Sequence, residues 1–116
     1  MQSTPKSHFY RPGQGHTMNL FPGVNLTTNA GEKIMLSYVT FEDEAVVPLH
    51  SHPHEQGGVL ISGQLKFTFG DRTEVLNPGD QWIIPGNVPH TVVAVGGPAV
   101  ALDIFYPIRE DYCKTS

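Results

Sequence analysis

The sequence predicts an all-β protein built as a two-sheet sandwich or barrel. The chain has 12 glycines and 10 prolines in 116 residues, which favours frequent turns. From Thr17 onward, short segments rich in β-branched and aromatic residues alternate with turn residues. No stretch before Arg109 has a convincing 3.6-residue apolar period, so long helices are not expected. The length suits one domain with a single core.

Nine segments have the composition expected of strands, and most are separated by clear turn signals. In chain order they are 24–28, 34–41, 46–52, 58–61, 64–69, 73–76, 81–84, 91–95 and 100–106. Ser62-Gly63 and Gly70-Asp71 each predict a tight hairpin. Residues 77–80, with proline second and glycine third, predict a type II turn. A helical period is expected only at 109–114.

Residues 1–16 form a separate N-terminal arm in this interpretation, and residues 17–116 form the barrel domain. The arm is polar and broken by proline and glycine, and Phe9 and Tyr10 are its large aromatic residues. It is either a loose tail or a segment whose aromatics dock on the barrel or on a partner subunit.

Charge and cysteine content exclude several classes of function. The formal net charge is −4, and the seven Lys and Arg residues are scattered, so nucleic acid is not an expected partner. Cys113 is the single cysteine and has no internal disulfide partner, so no oxidising compartment is required. The sequence lacks a secretory leader and a run long enough to span a membrane. A cytoplasmic protein without membrane contact is therefore expected.

A group of histidines predicts a transition-metal site. His50 and His52 are two residues apart, so their rings leave the same face of an extended strand. Pro53 bends or ends that strand, which allows Gln56 to return to the same point. His90 is the expected fourth ligand, and neutral imidazole suits Zn, Fe, Cu and Ni. The alternative is that these histidines are ordinary surface or core residues.

Asp103 is the polar exception in the apolar strand around it. It shares one strand face with Ala99, Ala101 and Phe105, a mixture that suits a cavity lining. The opposite face, which includes Leu102, is apolar enough to pack against another sheet. Apolar surroundings raise the pKa of a carboxyl group, as a general acid or base near neutrality requires. The alternative is a carboxylate satisfied by a backbone amide or a nearby arginine.

Two stretches resemble the two sequence motifs of the cupin family. The matching positions are His50, His52, Gln56 and Gly63 in the first motif and Gly79, Pro85 and His90 in the second. The resemblance implies a single-domain cupin β-barrel of the jelly-roll type, also called a double-stranded β-helix. By analogy with the family, it also implies a homodimer. It also implies a divalent transition metal (Zn, Ni, Mn, Fe or Cu) held by His50, His52, Gln56 and His90.

The chain departs from the cupin pattern at three positions. Glu44 and Asn87 stand where glycines are expected, and Asn87 tolerates a left-handed backbone. Gln56 replaces the frequent glutamate, and it is preferred over Glu55 because the family spacing falls on it. Three imidazoles and an amide add no negative charge, so the ion would be a stronger Lewis acid than one bound by a carboxylate. Four protein ligands leave open positions for a bidentate substrate.

The C-terminal stretch resembles that of small cupins that act on unsaturated uronates in pectin and alginate breakdown. Asp103, Phe105 and Arg109 match three pocket residues of that group. The resemblance implies ring opening and tautomerisation of a 4,5-unsaturated monouronate, with Asp103 as acid/base and Phe105 and Arg109 binding substrate. An ion pair of Arg109 with Glu110, Asp111 or a subunit neighbour is the alternative for that residue.

Two other functions are compatible with the same residues. A neutral three-histidine set with Gln56 also suits dioxygen chemistry at Fe, Cu or Ni. A small-ligand sensor or storage protein could use the pocket without turnover, because this fold hosts many functions. A small molecule, such as a sugar acid, is the expected partner in each case.

Overall fold

The computed structural model describes residues 8–113 and contains ten strands. The strands are β1 (His16–Phe21), β2 (Val24–Ala30), β3 (Met35–Phe41), β4 (Val46–His50), β5 (Glu55–Ser62), β6 (Leu65–Phe69), β7 (Arg72–Leu76), β8 (Gln81–Ile84), β9 (His90–Ala94) and β10 (Ala99–Tyr106). One turn of 3-10 helix follows at Glu110–Tyr112. The all-β prediction is confirmed.

The strands form two antiparallel sheets that enclose one core. The six-stranded sheet has the order β1-β2-β3-β10-β5-β8, and the four-stranded sheet has the order β4-β9-β6-β7. Strand β3 shows why they pack, since Met35, Val39 and Phe41 are buried while Leu36 and Tyr38 between them are exposed. This period of two places one apolar face of each sheet against the other. The core includes residues of both sheets.

One predicted hairpin is wrong, and the difference shows how the chain changes sheets. Ser62-Gly63 does not join paired strands, because β5 pairs with β10 and β8 while β6 pairs with β7 and β9. The turn instead carries the chain from one sheet to the other. Gly63 has φ of 80°, and a β-carbon there would overlap the backbone of Pro98 and Ala99. Composition identifies such a turn but not which strands it pairs.

The other turns form as predicted. Phe69 and Arg72 are paired across the Gly70-Asp71 hairpin between β6 and β7. In the turn at 77–80, the Asp80 amide donates to the Asn77 carbonyl at 2.9 Å.

The largest differences from the sequence analysis concern β1, the ends of β4 and β5, and the C-terminal helical turn. Strand β1, which pairs with β2, was not among the expected strands. Strand β4 ends at His50, before the predicted end at residue 52. Strand β5 begins at Glu55, before the predicted start at residue 58. The helical period expected at 109–114 is realised as the single 3-10 turn. Residues 1–7 of the expected arm and the C-terminal residues 114–116 lie outside the described residues. No helix in 8–113 has the length and apolarity needed to cross a membrane.

Candidate metal centre and the adjoining cavity

The fold brings together the three histidines that the sequence analysis selected. His50 ends β4 and is paired in register with His90, which begins β9. Their ring centroids are 4.3 Å apart, and the His52 centroid lies 5.1 Å from that of His90. One ring nitrogen from each residue lies within 4.8 Å of the others. His50, His52 and His90 therefore form a site that could hold a metal ion.

The surroundings of the three rings favour the tautomer that metal binding requires. Each Nδ1 faces a backbone carbonyl, which only accepts hydrogen bonds, so at His50 and His90 Nδ1 carries the proton and Nε2 keeps its lone pair. At His52 both ring nitrogens face oxygen atoms, and a metal at Nε2 would leave the proton on Nδ1. The accepting carbonyls belong to Pro48, His54 and Val88, at 2.7, 3.0 and 2.8 Å. The Nε2 atom of His90 is buried and has no hydrogen-bond partner among the described residues.

Burial keeps two of these rings neutral. Burial lowers the pKa of His52 to about 4, assisted by the positive charge of Arg109. Burial also lowers the pKa of His90. Neutral imidazole is the form that donates a lone pair to a metal, so these side chains fit the donor set of a transition-metal ion.

Gln56 lies beside the histidines and links them to Asp103. Its Oε1 is 3.0 Å from Nε2 of His52, and its Nε2 donates to Oδ1 of Asp103 at 3.0 Å. With Nδ1 of His52 protonated, two lone pairs face each other across the first contact, and a cation beside them would stabilise both. Gln56 is buried whereas Glu55 is exposed, so of these two side chains Gln56 is the one that contacts the histidines.

Asp103 lies in the middle of β10 and faces the cavity. Its Oδ1 accepts hydrogen bonds from Gln56 Nε2 and Trp82 Nε1, both at 3.0 Å. Its Oδ2 has no hydrogen bond from any described residue. Burial raises the pKa of Asp103 to about 6, and the two hydrogen bonds limit that rise. The carboxylate is thus held by side chains through one oxygen and open through the other.

Trp82 reaches Asp103 because Gly58 lies between them. In the six-stranded sheet Gly58 is paired with Asp103 on one side and with Trp82 on the other. A β-carbon at position 58 would overlap the Trp82 indole. The glycine therefore lets the indole cross β5 and donate to the carboxylate one strand beyond.

Arg109 is held in place beside the same cavity. Its Nε and one terminal nitrogen, at 3.3 and 2.8 Å, bind the Asp111 carboxylate, and its other terminal nitrogen donates to the Tyr112 hydroxyl at 3.0 Å. The guanidinium carbon lies 4.0 Å from the Tyr112 ring centroid and 5.3 Å from that of Phe105. The ion pair with Asp111 that was an alternative for Arg109 is present. Of the five N–H donors of the side chain, two are left for a ligand.

These groups surround a cavity of about 40 Å³ between the sheets. That volume is enough for a few water molecules, so a larger ligand requires side chains of the lining to move. Its polar lining combines His50, Gln56, His90, Asp103 and Arg109. Phe105, Val47 and Leu26 belong to its apolar wall. The lining therefore offers both charged and apolar contacts to an anionic, polar molecule.

Two residues other than glycine have the left-handed backbone conformation that glycine adopts most readily. Glu44 and Asn87 have φ of 64° and 68°, in the left-handed region. These are the two positions at which the cupin pattern has glycine and this sequence does not. The Asn87 amide donates to the carbonyl of His52 at 2.6 Å, which ties the second motif to the first.

The sequence analysis assigned no role to Trp82, Gly58 or Tyr112. A signal for Gly58 was present, because glycine inside a strand marks a close approach of another group. Trp82 is the single tryptophan of the chain and lies inside the second motif. Tyr112 had no such signal, since its contact with Arg109 depends on the 3-10 turn.

A barrel of two antiparallel sheets with two histidine motifs at one end defines the cupin class, and the family comparison agrees. The family model described as "Cupin domain" matches residues 37–105, more than half of the chain, so this chain belongs to the cupin family. No curated protein matches the sequence.

Solved cupin structures are similar over nearly the whole chain. An RmlC-like cupin from Shewanella frigidimarina has a TM-score of 0.84 at 24% identity, covering 91% of this chain and 96% of its own. KdgF from a Halomonas species has a TM-score of 0.83 at 26% identity, covering 90% of this chain and 97% of its own. A mutant of the oxalate decarboxylase OxdC from Bacillus subtilis has a TM-score of 0.81 at 19% identity, covering 95% of this chain and 32% of its own.

Proposed function

We propose that this cupin is a metal-dependent enzyme that opens the ring of a 4,5-unsaturated monouronate and tautomerises it to the linear keto acid. The observation that carries the proposal is the open oxygen of Asp103 in a cavity that also contains the histidine site and Arg109. The resemblance of Asp103, Phe105 and Arg109 to uronate-processing cupins supports it. The structural similarity to KdgF, at 26% identity, is a second support for the proposal.

The metal is proposed to bind to His50, His52, His90 and Gln56. A divalent transition ion (Zn, Ni, Mn, Fe or Cu) suits three imidazoles and an amide oxygen. Such an ion would supply Lewis-acid polarisation of a substrate oxygen. The neutral ligand set leaves its charge undiminished, and the hydrogen bonds at Nδ1 hold the rings in position.

Asp103 is proposed as the group that moves the proton. The reaction breaks the O–H bond of the anomeric hydroxyl and the bond between the anomeric carbon and the ring oxygen. It forms a C–H bond at the former alkene carbon, so one proton moves and no atom is gained or lost. Oδ2 of Asp103 is free to accept and return that proton, because both hydrogen bonds use Oδ1. A pKa of about 6 suits both directions near neutral pH.

Arg109 and Phe105 are proposed to bind the substrate. The two free N–H donors of Arg109 can pair with the uronate carboxylate. Asp111 and Tyr112 hold the guanidinium in place, so little conformational entropy is lost when the carboxylate binds. Phe105 packs edge-to-face on His52 and Tyr112 and forms an apolar surface for the sugar ring.

The function is tested by incubating the metal-loaded protein with the unsaturated monouronate and following the loss of its ultraviolet absorbance. Asp103→Asn is expected to lower kcat at least about 100-fold, because an amide cannot take up the proton. Asp71→Asn, an exposed turn residue, is the matched control and should behave like the wild type. Turnover of Asp103→Asn at the wild-type rate would exclude Asp103 as the acid/base.

Two other outcomes would select a different function for the cavity. Oxygen consumption with small enols, without uronate turnover, would favour a dioxygenase at Fe, Cu or Ni. Binding of sugar acids without any product would favour a non-catalytic ligand-binding protein.

We also propose a homodimer formed through the outer face of the six-stranded sheet. Leu36, Ile104 and Ile83 lie in one row across that face and are exposed. Isolated apolar residues are common on surfaces, but a continuous row indicates an interface. Ile104→Lys is expected to give a monomer by light scattering, whereas Val75→Lys on the other sheet should leave the mass unchanged.

The remaining proposals concern the arm and the location. We propose that residues 1–16 act as an arm separate from the barrel domain, residues 17–116. Phe9 and Tyr10 line a groove beside Leu36 and Tyr38, which is where an arm would reach the proposed dimer face. A cytoplasmic location is proposed because the single Cys113 requires no oxidising compartment.

A further inference from the structure

A row of polar side chains crosses the inner face of the six-stranded sheet. Ser37 of β3 is paired in register with Thr28 on one side and with Asp103 on the other. Residues opposite each other in adjacent strands point to the same face, with their β-carbons about 5 Å apart. Ser37 is therefore the immediate neighbour of the carboxylate proposed to move the proton.

The Ser37 hydroxyl is buried without a partner from the protein. The residue is 0% exposed, and its Oγ has no hydrogen bond from any described residue. Thr28, next in the row, is also buried, but its Oγ1 donates to the backbone carbonyl of Tyr112 at 3.2 Å. A buried hydroxyl that lacks a partner destabilises the fold, and alanine would fill the same space without that cost.

Ser37 lines the cavity that contains the histidine site, Asp103 and Arg109. The side chains that precede and follow it on the same strand face, Met35 and Val39, are apolar and buried. Along its own strand, its hydroxyl is thus the one polar group between two apolar side chains. A group from a bound molecule in the cavity can supply the partner that the protein does not.

We propose that Ser37 is a ligand-contacting residue whose hydroxyl hydrogen-bonds a hydroxyl group of a polyhydroxylated acid bound beside Asp103. A hydroxyl both donates and accepts, so it matches a sugar hydroxyl in either direction. The substrate class rests on the function proposed above. The contact favours a sugar acid over an apolar or aromatic acid of similar size, because such a ligand would leave Ser37 unpaired.

The test compares Ser37→Ala with the wild type in kinetics and in stability. With the unsaturated monouronate, Ser37→Ala is expected to raise KM about tenfold and to change kcat less than about threefold. Its thermal midpoint should equal or exceed that of the wild type, since no protein hydrogen bond is lost. Thr28→Val is the matched control for stability and should lower the midpoint, because its hydroxyl is bonded to the protein.

The possible results separate this proposal from the proposed function. An unchanged KM in Ser37→Ala, with normal wild-type turnover, would refute the role of Ser37 and leave the function intact. A midpoint lowered as in Thr28→Val would assign Ser37 a structural role instead. If the wild type does not turn over the monouronate, the contact of Ser37 with a ligand is tested instead by calorimetry of D-glucuronate and D-galacturonate binding. Weaker binding by Ser37→Ala would support the contact, and equal binding, or none by the wild type, would overturn it.

Discussion

Replacing Trp82 with phenylalanine removes one of the two hydrogen bonds that hold the Asp103 carboxylate. The indole Nε1 donates to Oδ1 at 3.0 Å, and this bond stabilises the ionised form. A hydrogen bond to a charged group contributes about 1.5 kcal/mol, which corresponds to about one pKa unit. Phenylalanine keeps the ring contact with Phe67 but has no donor. The pKa of Asp103 should therefore rise from about 6 to about 7.

The direct assay is an NMR titration of the Asp103 carboxyl carbon in protein freed of metal by a chelator. Asp103→Asn identifies the resonance. Stability should follow the same shift, because the folded pKa of Asp103 lies above the ordinary carboxyl value of 3.8. The contribution of Asp103 is then fully present below that value and is lost as pH rises through about 6, a change of about 3 kcal/mol at most. In Trp82→Phe the loss should begin at the same pH but continue to about one pH unit higher and be about 1.4 kcal/mol larger, because the unfolded pKa is unchanged.

Phe67→Leu is the matched control, since it alters the packing of Trp82 without removing the indole N–H. It should leave the pKa of Asp103 close to the wild-type value. An unchanged or lowered pKa in Trp82→Phe would refute the assignment of the indole as a stabiliser of the carboxylate. An equal rise in both variants would show that the packing of the ring, and not the hydrogen bond, controls the ionisation.

Three further substitutions test positions where glycine, or the backbone conformation typical of glycine, shapes the protein. Gly58→Ala should displace the Trp82 indole and reproduce the raised pKa of Asp103, with a loss of about 1–3 kcal/mol in stability from overpacking, measured by chemical denaturation. A fully stable variant with a wild-type pKa would contradict the close approach of indole and backbone. Glu44→Gly should stabilise the protein by about 0.5–1 kcal/mol, because a left-handed glutamate is strained, whereas Asn87→Gly should change stability by less. A loss of stability in Glu44→Gly would show that its side chain contributes more than its backbone strain costs.

The strands were largely predictable because several of them, such as β3 and β8, alternate between core and surface. In β3 every second residue is buried, so composition and period agree on the same element. Strand pairing was harder to predict from the sequence, as the turn at Gly63 shows. The sequence of a tight turn is the same whether the turn joins two paired strands or connects two sheets. Strand β1 was missed although Met18 and Leu20 pack against the core with the exposed Asn19 between them, which is the alternation of a short strand.

The histidine site was predictable because its residues have a characteristic spacing in two motifs. His50 and His90, forty residues apart in the sequence, are direct neighbours in register. The support for Asp103 was not predictable in the same way. It depends on Trp82 crossing a neighbouring strand at a residue without a side chain, and that geometry is decided by sheet order.

The amide of Gln56 explains why a glutamate would be out of place in this particular cupin. One end of the side chain presents an oxygen toward His52, and the other presents N–H to Asp103. A carboxylate has no donor for the second contact and would set two negative groups about 3 Å apart. The residue types at positions 56 and 103 are therefore interdependent, and a glutamate at the first would demand an uncharged residue at the second.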